Sequence, residues 1–337
     1  MINILLMGIK NLLKFLSNYE NIIVKKDIKI YENKKIAIDI SILIYQVVIS
    51  IRNSGSDLVN DNGDITSHIF GIFNKTISFL EKGIIPVYVF DGKPPSLKKK
   101  VLEVRNLIRK KALDKLTSVV EQEDKIKYFK RSVYITRQQI EECKELLKYM
   151  GIPYIEAPEE ADSQLAYLCK NNLVYAVLTE DMDILTFGSP RIIRNLTSTN
   201  KIPLHIELND ILLKLDLTQE QFVDLCILFG CDYCSNIIDI KQQDIYETYI
   251  KYKNIDDTIT DFKNRGYNNL YVNYKDAKDY FMNCAIIKVN EMDLVLKYPD
   301  FNKLLDLLVN KYGLIRYKVI NKLKKLEFYY SILQNNI

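Results

Sequence analysis

Short apolar runs that stop at carboxylates are the feature that most constrains this chain. Lys34 to Ile40 (KKIAIDI) contains Asp39, and Ile84 to Phe90 (IIPVYVF) is followed by Asp91-Gly92. Ile152 to Ile155 leads through Ala157-Pro158 into a helix whose first turn holds Glu159, Glu160 and Asp162, and Val174 to Leu178 (VYAVL) is followed by Asp181 and Asp183. A helical run, Gln221 to Phe229, breaks at Gly230 before Cys231-Asp232. Unbroken apolar runs of this length, rich in β-branched residues, read as buried strands. If the strands are parallel, their carboxyl ends meet at the crevice where open α/β sheets bind ligands. Asp39, Asp91, Glu160, Asp162, Asp181, Asp183 and Asp232 then share one site. So many like charges cannot sit together bare, because repulsion would protonate some of them. Divalent cations resolve the conflict. The only histidines, His68 and His205, are far apart in sequence, so the ligands are hard oxygens, which suit Mg²⁺ or Mn²⁺ better than Zn²⁺. Any one of these acids alone has a plainer reading as a helix cap or a first-turn charge that complements the helix dipole.

Between the first two runs, Ser41 to Arg52 and Thr66 to Lys82 have helical apolar spacing and are separated by the polar loop Asn53 to Asp64. That is a βαβ-like crossover. From Ser96 to about Arg137 the composition turns charged and helix-forming, an excursion from the core, and Gln138 to Met150 resumes an amphipathic helix that ends at Gly151. After Asp232 the chain is mostly helical in pattern. The expected fold is α/β, with a mostly parallel central sheet flanked by helices, a helical insertion at about 96–137 and a helical C-terminal region. Residues 1–235 form the core and 236–337 the helical region in this division.

Forty-seven Lys and Arg stand against 43 Asp and Glu in 337 residues, a net charge of +4 and a pI near 8.5. That balance favours a nucleic-acid partner only weakly, so the clustering of basic residues has to carry the argument. The cysteines Cys143, Cys169, Cys226, Cys231, Cys234 and Cys284 show no disulfide framework, which points to a reducing compartment. Cys231 and Cys234 form a lone CxxC without a second pair, so reduced core thiols are expected rather than a zinc site. No stretch is long and apolar enough to span a bilayer, and MINILL has neither the basic flank nor the long apolar core of a signal peptide.

Asp181-Met182-Asp183 is a DxD, which many surface turns and the Mn²⁺ sites of glycosyltransferases also contain. Its company is more specific. It lies in TEDMDILTFGSP, and the chain also holds MGIKNLLKFL from Met7, AIDIS with Tyr45, the TSH of Thr66 to His68, VYVFDGKPPSLK, GIPYIEAPEEAD and QFVDLCILFGCDYC. From Met7 to about Asp239 the chain resembles the flap endonuclease family of structure-specific 5′ nucleases, and DGKPP and MDILTFGSP resemble its flap endonuclease branch. A glycosyltransferase reading leaves Asp39, Asp91, EEAD and the basic excursion unexplained.

The resemblance implies a PIN-like nuclease core that cuts DNA carrying a 5′ flap or branched junction, in replication and repair. It implies two Mg²⁺ ions, with Mn²⁺ as a substitute. Asp39, Asp91, Glu160 and Asp162 would form one ligand set and Asp181, Asp183 and Asp232 the other. Two ions roughly 4 Å apart would activate a water and stabilise the departing oxygen. Lys98 and Arg105 would reach the scissile phosphate; with Arg109 they fall at one-face spacing if the excursion is helical. Lys130, Arg131 and Arg137 extend the basic character of an arch through which a single-stranded flap passes. Tyr45 would stack on a base near the cut and Thr66 would contact a short 3′ flap. A 5′-to-3′ exonuclease or gap nuclease, and a DNA-junction-binding protein without chemistry, are the alternatives. Relatives carry a glycine-rich turn with a bound K⁺ after the last aspartate, whereas Asn236 to Asp244 reads NIIDIKQQD, so weaker or differently made duplex contacts are expected. The glutamine and paired-aromatic motif used for sliding-clamp binding is not evident near the C-terminus. A monomer is expected, in the nucleus of a eukaryotic cell or at a viral replication site.

Overall fold

A computed structural model describes residues 8–198, 201–234, 240–267 and 274–335. The MINILL segment with Met7, and residues 236–239 of the glycine-free stretch, lie outside them. Among the described residues seven strands form one sheet: β1 (Val24–Lys25), β2 (Lys35–Asp39), β3 (Ile85–Phe90), β4 (Tyr154–Glu156), β5 (Ala176–Leu178), β6 (Arg191–Arg194) and β7 (Leu204–Glu207), in the order β1-β7-β6-β5-β2-β3-β4. From β6 to β4 every neighbouring pair is parallel, while β7 runs antiparallel to β6 and β1. The expected mostly parallel sheet flanked by helices is therefore present, with an antiparallel edge at β7.

Helices cover both faces, which explains the unbroken apolar strands. All six residues of β3 are buried, as parallel strands between two helical layers require. Side chains alternate between two cores: Ala37, Val87, Val89 and Val177 join one, and Ile36, Ile38, Tyr88, Phe90 and Leu178 the other. The helices Ile40–Ile51, Ser67–Glu81 and Arg137–Met150 contribute to the second core, and Ala161–Lys170 and Gln219–Phe229 to the first. The chain thus reaches β3 and β4 across one face and returns to β5, on the far side of β2, across the other. Between β2 and β5 the strand order reverses, the position at which such sheets form a crevice outside their carboxyl ends.

The charged stretch after Pro95 folds as a short 3₁₀ turn, Ser96–Lys98, and two helices, Lys99–Ser118 and Gln122–Arg131. Only Ala112 is buried in these elements. Arg137–Met150 begins with a capping box of Thr136 and Gln139 and ends at Gly151 in the left-handed conformation. Glu159 and Glu160 do not lie in the first turn of the next helix, as the sequence reading placed them: that helix is Ala161–Lys170, with Glu160 at its N-cap and its backbone extended. The Glu160 side chain makes no cap bond because it is committed elsewhere. Among the described residues no helix is long and apolar enough to cross a membrane.

Candidate functional site

The strand ends deliver the carboxylates. Asp39 closes β2 and caps Ile40–Ile51, accepting from the Ile42 N–H at 3.0 Å. Asp91 follows β3 and accepts from the Ala161 N–H at 2.9 Å, so it is tied to the loop that bears Glu160. Gly92 completes that tie. Its N–H donates to the Glu159 carbonyl at 2.5 Å, and a Cβ there would stand 2.2 Å from the Ala157 carbonyl oxygen. Asp181 and Asp183 follow β5 in a tight turn in which the Asp183 N–H donates to Asp181 Oδ1 at 3.0 Å and the Asp181 N–H to Thr179 Oγ1 at 2.9 Å.

Gly8 packs against this turn. With φ +77°, its Cβ position would lie 2.1 Å from Asp181 Oδ1 and 2.9 Å from Asp183 Oδ1, so no side chain fits. The Lys10 N–H donates to the Gly230 carbonyl at 3.0 Å, which joins the start of the described chain to the break before Asp232.

Asp39, Glu160, Asp162, Asp181, Asp183 and Asp232 are all buried, and Asp91 lies exposed at the rim. Burial first, then the charges of Asp91 and Asp181, holds Asp39 well above the ordinary aspartate range. Asp162 is raised by burial and then by Asp181 and Asp39; Asp183 by burial and then by Asp181 and Asp232. Burial also raises Asp232, with Arg105 and Lys98 opposing it and Asp181 adding to it. Asp181 is thus the common electrostatic neighbour of four other aspartates. Asp162 Oδ1 and Asp183 Oδ1 are buried without a hydrogen-bond partner among the described residues. Such oxygens are costly unless something cationic or protic meets them.

Two basic residues of the excursion meet the acids directly. Lys98 Nζ donates to Glu160 Oε1 and stands 3.7 Å from Asp232 Oδ2, while Arg105 donates to Asp232 Oδ2 at 2.6 Å. Burial alone would lower the Lys98 ammonium, but Glu160, Asp162 and Asp232 outweigh it and hold it above the ordinary lysine range. A solvated charged helix would not place two cations on buried carboxylates.

The remaining residues fall elsewhere. Tyr45 is half-buried on Ile40–Ile51, within the electrostatic reach of Arg52 and Arg109. Arg109 stacks over the Tyr134 ring at 4.2 Å, and Lys130 donates to Asn53 Oδ1 at 2.6 Å. Arg131 is partly exposed at the end of its helix, and Arg137 is exposed at the start of the next. Thr66 is buried at the N-cap of Ser67–Glu81 and makes no side-chain cap bond; its N–H donates to the Leu58 carbonyl at 2.8 Å. The structure thus joins all seven acids with Lys98 and Arg105 in one region and leaves the other basic residues on the excursion and its base.

Sequence reasoning missed Gly8, Gly92 and Tyr233. Tyr233 donates its hydroxyl to Glu160 Oε2, and Lys98 Nζ lies 5.7 Å from its ring centre. Its place directly after Asp232 was the one available signal. Cys231 and Cys234 are free thiols with their Sγ atoms 3.5 Å apart.

Among the described residues no three Asp, Glu, His or Cys side chains close into a ready-made metal cage. The partnerless oxygens and the mutually repelling buried aspartates still fit a hard divalent cation, and the open spacing suits one that keeps several waters, as Mg²⁺ does. In metal-free buffer the raised aspartates keep protons in the folded state that the unfolded chain, near the ordinary value of 3.8, has released. Stability then falls as pH rises from the ordinary aspartate value through the raised native ones. At neutral pH, added Mg²⁺ is expected to raise the thermal midpoint by a few °C. Asp183→Asn is expected to raise it without metal and to blunt the metal response; a calorimetric melt with and without Mg²⁺ checks both.

Two family models match the chain: the XPG N-terminal domain over residues 7–112 and the XPG I-region over residues 151–232. Flap endonuclease 1-A of Oryza sativa subsp. japonica is 41% identical over 96% of this chain and 87% of its own length. Flap endonuclease-1 from Methanococcus jannaschii superposes with a TM-score of 0.73 at 35% identity, covering 94% of this chain and 97% of its own. The catalytic core of Rad2 in complex with DNA substrate superposes with a TM-score of 0.71 over 95% of this chain and 100% of its own. At 24% identity that last likeness is one of fold.

Proposed function

The chain belongs to the flap endonuclease family, and from that membership we propose that it is a structure-specific 5′ flap endonuclease that hydrolyses DNA at the boundary of single strand and duplex. The observation that carries the reading is the meeting of seven acids with Lys98 and Arg105 at the carboxyl ends of parallel strands. A junction-binding protein without chemistry has no need to bury six carboxylates against one another.

Asp39, Asp91, Glu160 and Asp162 would hold one Mg²⁺ and Asp181, Asp183 and Asp232 a second, with Mn²⁺ as substitute. When bound, such ions supply Lewis acidity toward the phosphate oxygens and lower the pKa of a water nucleophile. The chain does the positioning. Lys98 and Arg105 now lie on Glu160 and Asp232; an incoming phosphodiester offers them oxygens of the same charge and bidentate geometry. They would turn to it and align the scissile phosphorus. Tyr45 would hold the base beside it by stacking, and Thr66 would lie toward a 3′ flap. Arg109, Lys130, Arg131 and Arg137 would follow the flap through phosphate contacts that give affinity without reading sequence, as a junction enzyme requires. The product would carry a 5′-phosphate. DNA replication and repair, in a nucleus or at a viral replication site, is the setting this activity fits.

A 5′-labelled double-flap DNA incubated in Mg²⁺ beside a linear duplex tests the reading. One product from the flap base, lost in EDTA, is expected. Mononucleotides released equally from the linear duplex would replace this reading with an exonuclease, and tight binding without product would replace it with a junction binder. Arg131→Ala and Arg137→Ala are each expected to weaken flap binding uniformly across sequences and to lower the salt slope by roughly 0.7–0.9, with little change in single-turnover rate at saturating enzyme. Binding isotherms from low to moderate salt measure this.

A further inference from the structure

Tyr233 is buried, with 4% of its surface exposed, against Tyr280, Phe281 and Phe187, at ring-centre distances of 4.8, 5.1 and 6.4 Å. A buried tyrosine needs a partner for its hydroxyl, and many find a backbone carbonyl. This one takes a carboxylate of the acidic cluster. Glu160 is also buried, at 7% exposure, and its two oxygens are divided: Oε1 accepts from Lys98 and Oε2 from Tyr233. Lys98 in turn lies over the Tyr233 ring. Three side chains from separate parts of the chain thus form a closed triangle, and the aromatic cluster behind Tyr233 fixes one corner of it.

We propose that Tyr233 is a positioning residue for the cleavage reaction, which orients the Glu160 carboxylate through its hydroxyl and thereby sets both the metal ligand and the place of Lys98. The inference rests on the endonuclease reading for its catalytic part, but not for its geometry. Glu160 has an extended backbone and no cap bond to steady it, so its rotamer is set by what its oxygens meet. With the hydroxyl removed, Oε2 is left buried without its donor, and the carboxylate is free to turn wholly toward Lys98. A ligand that has lost its outer hydrogen bond typically costs 10–100-fold in metal affinity or activity. The bland alternative is that Glu160 merely satisfies a core tyrosine. In that case losing the hydroxyl changes stability and nothing at the metal.

Tyr233→Phe keeps the ring and its packing and removes only the donor. Titration of the full chain with Mn²⁺ alone, followed by calorimetry, is expected to show affinity weakened roughly 10–100-fold. On flap DNA in Mg²⁺, kcat is expected to fall by a similar factor while KM stays within about twofold, because the hydroxyl is buried and donates to Glu160. Adding Tyr233→Phe to Glu160→Gln is expected to cost nothing further, since the hydroxyl acts only through that carboxylate. Wild-type Mn²⁺ affinity in Tyr233→Phe, or full additivity of the two substitutions, would overturn the inference. Failure of the wild type to cut flaps would overturn the endonuclease reading and leave the calorimetric arm to decide the role of Tyr233 by itself.

Discussion

An Asp181→Ala protein is expected to bind 5′-flap DNA and leave it uncut. Asp181 is the charge that Asp39, Asp162, Asp183 and Asp232 all feel, so it stands between the two proposed ligand sets. Its Oδ1 also accepts the Asp183 N–H and orders the turn that carries both residues. Removing it takes a ligand from the cluster and loosens a second. A loss in single-turnover rate on the order of 10³-fold or more is expected, which is about 4 kcal/mol of transition-state stabilisation. Affinity for flap DNA in Ca²⁺ or EDTA should hold or improve, because a negative charge facing the phosphate has gone. Quenched-flow cleavage beside a gel-shift isotherm separates the two effects. Retention of even a tenth of the wild-type rate would remove Asp181 from the machinery.

Lys98→Ala and Arg105→Ala are expected to be the next most damaging changes. Each cation is aimed at a carboxylate of the site from an element with little buried surface of its own, so its loss leaves the core intact. Removing one charged donor aimed at developing phosphate charge typically costs about 10²–10³-fold in kcat, and each variant is expected in that range. Arg105→Lys should recover only part of the loss, since an ammonium cannot reproduce the bidentate fork of a guanidinium. Single-turnover rates at saturating enzyme, with circular dichroism melts to confirm folding, measure this. An effect confined to KM would place both residues in general DNA affinity instead.

The sheet was legible where burial wrote it into composition. IPVYVF and KIAID lie between two helical layers and so are apolar throughout, and their acids mark the strand ends. The strands RIIR and LHIE at β6 and β7, and the two-residue β1, carry no such mark. They are short, each carries a charged residue at one end or both, and they are made by pairing with neighbours rather than by local preference. The acidic constellation was readable because carboxylates after buried strands have few other reasons to cluster. Glu159 and Glu160 could be told apart only by resemblance; in the fold the Glu159 carbonyl takes the Gly92 N–H while the Glu160 side chain meets Lys98 and Tyr233. Tyr233 was one of 23 tyrosines, and nothing in its immediate neighbours says where its hydroxyl points. Gly8 was likewise silent, because its requirement for a missing side chain comes from a turn more than 170 residues away.

The way the sheet is threaded also sets when the protein can act. A ribosome delivers Asp39 and Asp91 early, with β2 and β3 already able to pair, but β5 must enter on the opposite side of β2 before Asp181 reaches them. Asp232 comes later still, and Gly8, the first residue described, packs against Asp181 and Asp183. A nascent piece that stops short of Asp232 lacks the seventh acid and the carboxylate that Arg105 meets. The complete cluster therefore forms only after the last acid has emerged and the middle of the sheet has closed.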